Sequence, residues 1–176
     1  GYYNSSTYLG KKKTLGIGFS YDMQDEATWV AGDDPLTYGS TSYALMSADM
    51  FLELPSAAGN SLTAEFGWNS LDLDDDPSFM AAQGSGFYGQ AGYYLASGFQ
   101  PWVMYEMWGS DADENGAGQT PGDFTTLRAG VTYYFEGHNA NVKLGFESFS
   151  PDVPMMAGAE EIDSINTITL GFFTTY

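Results

Sequence analysis

Hydrophobic and polar residues alternate with period two along eight stretches of the chain, so each stretch reads as a strand with one apolar and one polar face. In 14–23, Leu15, Ile17, Phe19, Tyr21 and Met23 oppose Thr14, Gly16, Gly18, Ser20 and Asp22. In 43–54, Ala44, Met46, Ala48, Met50, Leu52 and Leu54 oppose Ser47, Asp49, Phe51 and Glu53. In 61–71, Leu62, Ala64, Phe66 and Trp68 oppose Thr63, Glu65, Gly67 and Asn69. Stretches 87–96 and 100–109 carry aromatics on both faces, and Glu106 orients the second by grouping with Gln100, Trp102, Met104 and Trp108. In 124–135, Leu127, Ala129, Val131, Tyr133 and Phe135 oppose Thr126, Arg128, Gly130, Thr132 and Tyr134. In 140–149, Val142, Leu144 and Phe146 oppose Asn141, Lys143, Gly145 and Glu147. The last stretch, 164–176, sets Ile168, Leu170, Phe172, Thr174 and Tyr176 against Thr167, Thr169, Gly171, Phe173 and Thr175.

The connections alternate as regularly as the strands. Short ones at 10–13, 55–60, 97–99 and 136–139 are rich in Gly, Asn, Ser or Pro, as tight hairpins require, and long ones span 24–42, 72–86, 110–123 and 150–163. This layout predicts one all-β domain over 1–176, a transmembrane antiparallel up-and-down β-barrel with short turns periplasmic and long loops outside. The final strand descends from a long loop toward the short-turn side and stops on an aromatic residue, as the terminal strands of Gram-negative outer-membrane barrels do. Residues 1–13 read as a lead-in strand and periplasmic turn, a ninth strand in a class with even strand counts. Two arrangements follow: a small barrel of eight strands, or the carboxy-terminal portion of a larger, 16-stranded type. The chain begins at Gly1 without a methionine or signal segment, so it is expected to be a processed mature chain or a piece of something longer.

Charge sharpens the picture. The chain has 23 acids against five bases, a net charge of −18, which argues against nucleic acid as a partner. Each long loop holds four acids and no base, and no outward strand position assigned above is charged. A sheet face solvated by water collects Lys and Glu freely and has no reason to avoid charge, whereas a carboxylate against hydrocarbon costs up to about 2–4 kcal/mol near the midplane. An apolar run of 18 residues is missing, so a helical span is excluded, but a barrel strand needs only about 9–11 residues per crossing. Without cysteine there are no disulfides and no thiolate metal sites.

The inward acids Asp22, Asp49, Glu53, Glu65, Glu106 and Glu147, with Arg128 and Lys143, are the expected pore-lining charges. Inward Gly16, Gly18, Gly67, Gly92, Gly130, Gly145 and Gly171 are expected to leave the inner wall low. Aromatic girdles are expected from Trp68, Tyr105, Tyr133, Phe135, Phe172 and Tyr176. The single histidine, His138, falls in a short turn away from the long loops, so it reads as a turn residue, and the chain is not expected to be an enzyme. Asp111, Asp113, Asn115 and Gly116 spell the first half of a calcium loop without its bidentate acid at position twelve, so a loop-bound Ca²⁺ is the sole candidate cofactor. Asp72, Asp74, Asp75 and Asp76 form a second acidic group.

The segment RAGVTYYFEGHNANVK, with Arg128, Ala129, Gly130, Tyr133, Tyr134, Gly137, His138, Asn139 and Lys143, resembles the penultimate hairpin of the phosphate-selective porin O and P family. The resemblance implies a homotrimeric outer-membrane channel of 16-stranded type. It departs from that family in charge: the six inward acids outnumber Arg128 and Lys143, so phosphate selectivity is not carried over. The expected function is a water-filled, cation-leaning diffusion channel for small hydrophilic solutes and ions in the bacterial outer membrane. Lipid and lipopolysaccharide are its expected surroundings. The alternative is a small non-conducting eight-stranded barrel serving as anchor, adhesin or assembly partner.

Overall fold

A computed structural model of the chain describes residues 7–31, 38–74, 82–157 and 160–174. The strands are β1 (Thr14–Ala31), β2 (Tyr38–Pro55), β3 (Ser61–Asp72), β4 (Gly84–Tyr94), β5 (Phe99–Ser110), β6 (Phe124–Tyr134), β7 (Ala140–Pro151), β8 (Met155–Ala157), β9 (Glu160–Ile162) and β10 (Ile165–Thr174). Eight of them form one antiparallel up-and-down sheet in the order β1-β2-β3-β4-β5-β6-β7-β10, and β8 pairs with β9 as a separate hairpin in the last long connection. Short connections between sheet strands turn on glycines with positive φ, Gly59 at 77°, Gly98 at 92° and Gly137 at 54°.

Directly paired residues share a face, and the register keeps each alternating set together. Ile17 opposes Met50, which opposes Phe66; Tyr105 opposes Leu127; Leu144 opposes Val131 on one side and Leu170 on the other. On the second face Phe51 opposes Glu65, Tyr88 opposes Glu106, and Arg128 opposes Glu147. Among paired positions the apolar face carries one charge, Asp72, at the long-loop end of β3.

The first long connection is shorter than the alternation suggests. β1 and β2 run on past Gln24 and Tyr43, resuming after a register shift so that Thr28 pairs with Thr41 and Ala31 with Tyr38. Asp25 and Glu26 sit in that irregularity, Glu26 with φ 52°, and the extra residues break the period-two pattern that marked the strand. The ninth strand is not formed by the described part of the lead-in: residues 7–13 make a turn, with Leu9 at φ 54° and Gly10 at φ 77°. Residues 1–6, and the aromatic terminus Tyr176, lie outside the described residues.

Burial is inverted relative to a protein packed in water. The buried apolar side chains among the described residues are Leu9 and Leu73, whereas Ile17, Phe19, Ile168 and Phe172 are 71–78% exposed. Thr63, Gln100, Thr126 and Thr132, all on the polar face, are buried. The polar face is concave, enclosing a cavity of about 830 Å³ lined by residues from β2 across to β10. Among the described residues the sheet is not closed: β1 and β10 are its two edges and do not pair with each other.

Candidate functional site: the concave polar face

Cross-strand pairing sets the chemistry of the concave face. β6 and β7 place Glu147 directly opposite Arg128, and β5 and β6 place Glu106 one step diagonally away, opposite Thr126. The Arg128 guanidinium therefore bridges both acids, with Nε donating to Glu147 and Nη1 to Glu106 at 2.7 Å, while the Met104 sulfur lies 3.6 Å from Nη1. Both ion pairs are about one-third exposed, so water screens them and their role is to fix the side chains more than to stabilise the fold.

Lys143, between Thr132 and Gly171, holds its ammonium 5.5 Å from the centre of the Trp102 ring. That indole lies across Gly130 and Gly145, whose missing side chains leave room for it. Tyr88 lies over Gly67 in the same way and donates its hydroxyl to Glu65 at 2.7 Å. Gln100 and Thr63 crowd Gly92. The inner glycines at these positions are thus sockets for neighbouring side chains rather than the open, low wall expected from their sequence, although Gly171 meets nothing within 4 Å.

The other inward acids have different surroundings. Asp22 accepts the Tyr43 hydroxyl at 2.7 Å, and Asp49 stands opposite Gly18 and Gly67. Neither these nor Glu65 forms an ion pair among the described residues, since both such pairs belong to Arg128. Glu53 points to the concave side by register but is fully buried. Its carboxylate accepts the backbone N–H of Tyr8 at 2.5 Å and of Gly10 at 2.7 Å, and the Ser61 hydroxyl at 3.3 Å. The lead-in turn covers it, so unlike the other seven predicted residues it does not face open space.

Alternation alone left Tyr88 and Gln90 unsorted and assigned no role to Trp102 or Tyr134. The structure adds Tyr88 and Gln90 to the face and gives partners to the inward Trp102, beneath the Lys143 ammonium, and Tyr134, whose hydroxyl donates to Gln100 at 2.7 Å. The signal that finds the β4 residues is their pairing with β5, where Glu106 settles the orientation of Tyr88. His138 lies at the short-turn end, its Nε2 2.8 Å from the Thr7 carbonyl and its ring edge-on to Tyr134.

In the candidate calcium loop, Asn115 Oδ1 accepts the backbone N–H groups of Ala117 and Gln119, and Asp111 donates its own N–H to Gln83. Asp111 and Asp113 do not join a third acid or histidine, and no group of three or more such side chains forms among the described residues. Asp123 instead accepts from Ser110, and Asp152 from Thr120, which laces two long connections together. Asp72 accepts from the Asp74 backbone; Asp75 and Asp76 lie outside the described residues.

Aromatic side chains of the convex face gather near the short turns, where Phe99, Tyr133 and Phe135 have ring centres 4.5 and 4.7 Å apart in succession. A second group, Phe66, Phe87 and Tyr105, sits higher on the sheet, with centres 5.9 and 6.3 Å apart. Compared with known proteins, the chain matches no family model, no curated protein and no solved structure.

Proposed function

We propose that the chain forms part of the wall of a bacterial outer-membrane porin, a water-filled channel for small hydrophilic solutes with a preference for cations. The observation that carries this reading is the inverted burial: a convex face of Ile17, Phe19, Ile168 and Phe172 open to the surroundings, and a concave face of Thr, Gln, Asp and Glu. Lipid satisfies the first and water the second. An unpaired strand edge is not tolerated in hydrocarbon, so the edges at β1 and β10 call for further strands, which favours a larger barrel over a closed one of eight. Assembly as a homotrimer, and contact of the acidic long loops with lipopolysaccharide, belong to the same proposal.

Selectivity in this reading comes from Asp22, Asp49 and Glu65, which form no ion pair with a base among the described residues. Glu106 and Glu147 share Arg128, so their sector contributes much less field. Reversal potentials in a planar bilayer under a salt gradient test it. Cation preference is expected, reduced by D49N or E65Q and raised by Arg128→Met, which frees two carboxylates; anion preference in the unaltered protein would refute the charge argument.

A further inference from the structure

We infer that the turn bearing Lys11, Lys12 and Lys13 is a docking patch for anionic phospholipid headgroups, fixing which side of a bilayer the short-turn end occupies. The inference rests on the membrane reading above. Three of the five basic residues stand in this one turn, while the four long connections hold sixteen acids and no base. The protein as a whole repels anionic surfaces, and this patch is the exception.

The turn is built to display its lysines. Leu9 and Gly10 take positive φ, the Lys11 N–H donates to the Tyr8 carbonyl at 3.2 Å, and Glu53 grips the N–H groups of Tyr8 and Gly10. Leu9 is 8% exposed beneath them, whereas all three lysines are exposed. The nearest acid in this anchoring, Glu53, is sealed inside, and no lysine of the turn forms an ion pair among the described residues. Among the described residues of the short turns, Glu136 is the one exposed acid that opposes the patch.

Position supplies the partner. Lys13 lies two residues before Leu15, the first residue of the exposed apolar row on β1, so the ammonium groups sit where hydrocarbon gives way to headgroups. Tyr8, 45% exposed with the Lys12 ammonium 5.1 Å from its ring centre, adds an interfacial aromatic. Consecutive lysines are point charges without the fork of arginine and without a buried polar group among them, which suits a plane of many phosphates better than one anion.

The test uses the full chain and a K11Q/K12Q/K13Q variant, with vesicles of phosphatidylcholine alone or mixed with phosphatidylglycerol. Each lysine near an anionic surface is worth roughly a factor of five, so the unaltered chain is expected to bind mixed vesicles on the order of a hundredfold more tightly than the variant at low salt. The gap should close at high salt, and K11R/K12R/K13R should keep it. Equal binding of the unaltered chain and the glutamine variant to mixed vesicles, with both inserting into phosphatidylcholine, would overturn this inference alone. Failure to insert into either kind of vesicle would overturn the membrane reading and this inference with it. If inorganic phosphate at constant ionic strength abolished the gap, the patch would be a free-phosphate site and the lipid assignment would fall.

Discussion

Replacing Glu53 by alanine should release the lead-in turn from the end of the sheet. The buried carboxylate accepts two backbone N–H groups, at 2.5 and 2.7 Å, and hydrogen bonds to a charged group contribute about 1.5–3 kcal/mol each. Leu9, buried at 8% exposure, adds up to about 2 kcal/mol while the turn is docked. Freeing the backbone of residues 7–13 returns conformational entropy, which offsets part of that sum and makes local release the cheapest response. A shift of about 3 kcal/mol in the docking equilibrium is expected, roughly a hundredfold more open turn. Amide hydrogen exchange reads it directly: Tyr8 and Gly10 should lose about two decades of protection while paired amides in β5 and β6 keep theirs. Glu53→Gln, which retains one acceptor oxygen, should fall between the two. If Tyr8 and Gly10 stay protected in the alanine variant, the buried acid does not anchor the turn.

Two further outcomes follow from the packing of the two faces. A side chain at Gly130 would run into the Leu144 backbone carbonyl and the Trp102 ring, whereas Gly171 meets nothing within 4 Å, so Gly130→Ala should cost about 1–3 kcal/mol in urea unfolding from detergent micelles and Gly171→Ala little. Equal effects would contradict the socket arrangement. Phe66→Arg, on the convex face, should destabilise the chain in lipid vesicles by up to about 2–4 kcal/mol if that face meets hydrocarbon. An unchanged unfolding midpoint there would place the face in water.

Residues two apart along an extended strand share a face whatever they pair with, which is why eight strands, their antiparallel order and their polar and apolar faces were all legible in a single sequence. The same local rule failed where it is blind: the extra residues at Asp25 and Glu26 hid the continuation of β1, and aromatics on both faces of β4 left Tyr88 unsorted. Which residues meet is a matter of register, and register is a property of neighbouring strands. Alternation put Glu106, Arg128 and Glu147 on one side, but only pairing across β5, β6 and β7 joins them and leaves Asp22, Asp49 and Glu65 without an ion pair among the described residues. Likewise Glu53 is indistinguishable in pattern from its inward neighbours. Tertiary structure alone decides that a turn more than forty residues away along the chain folds over it, because two backbone N–H groups with no strand partner there meet an acid able to accept both.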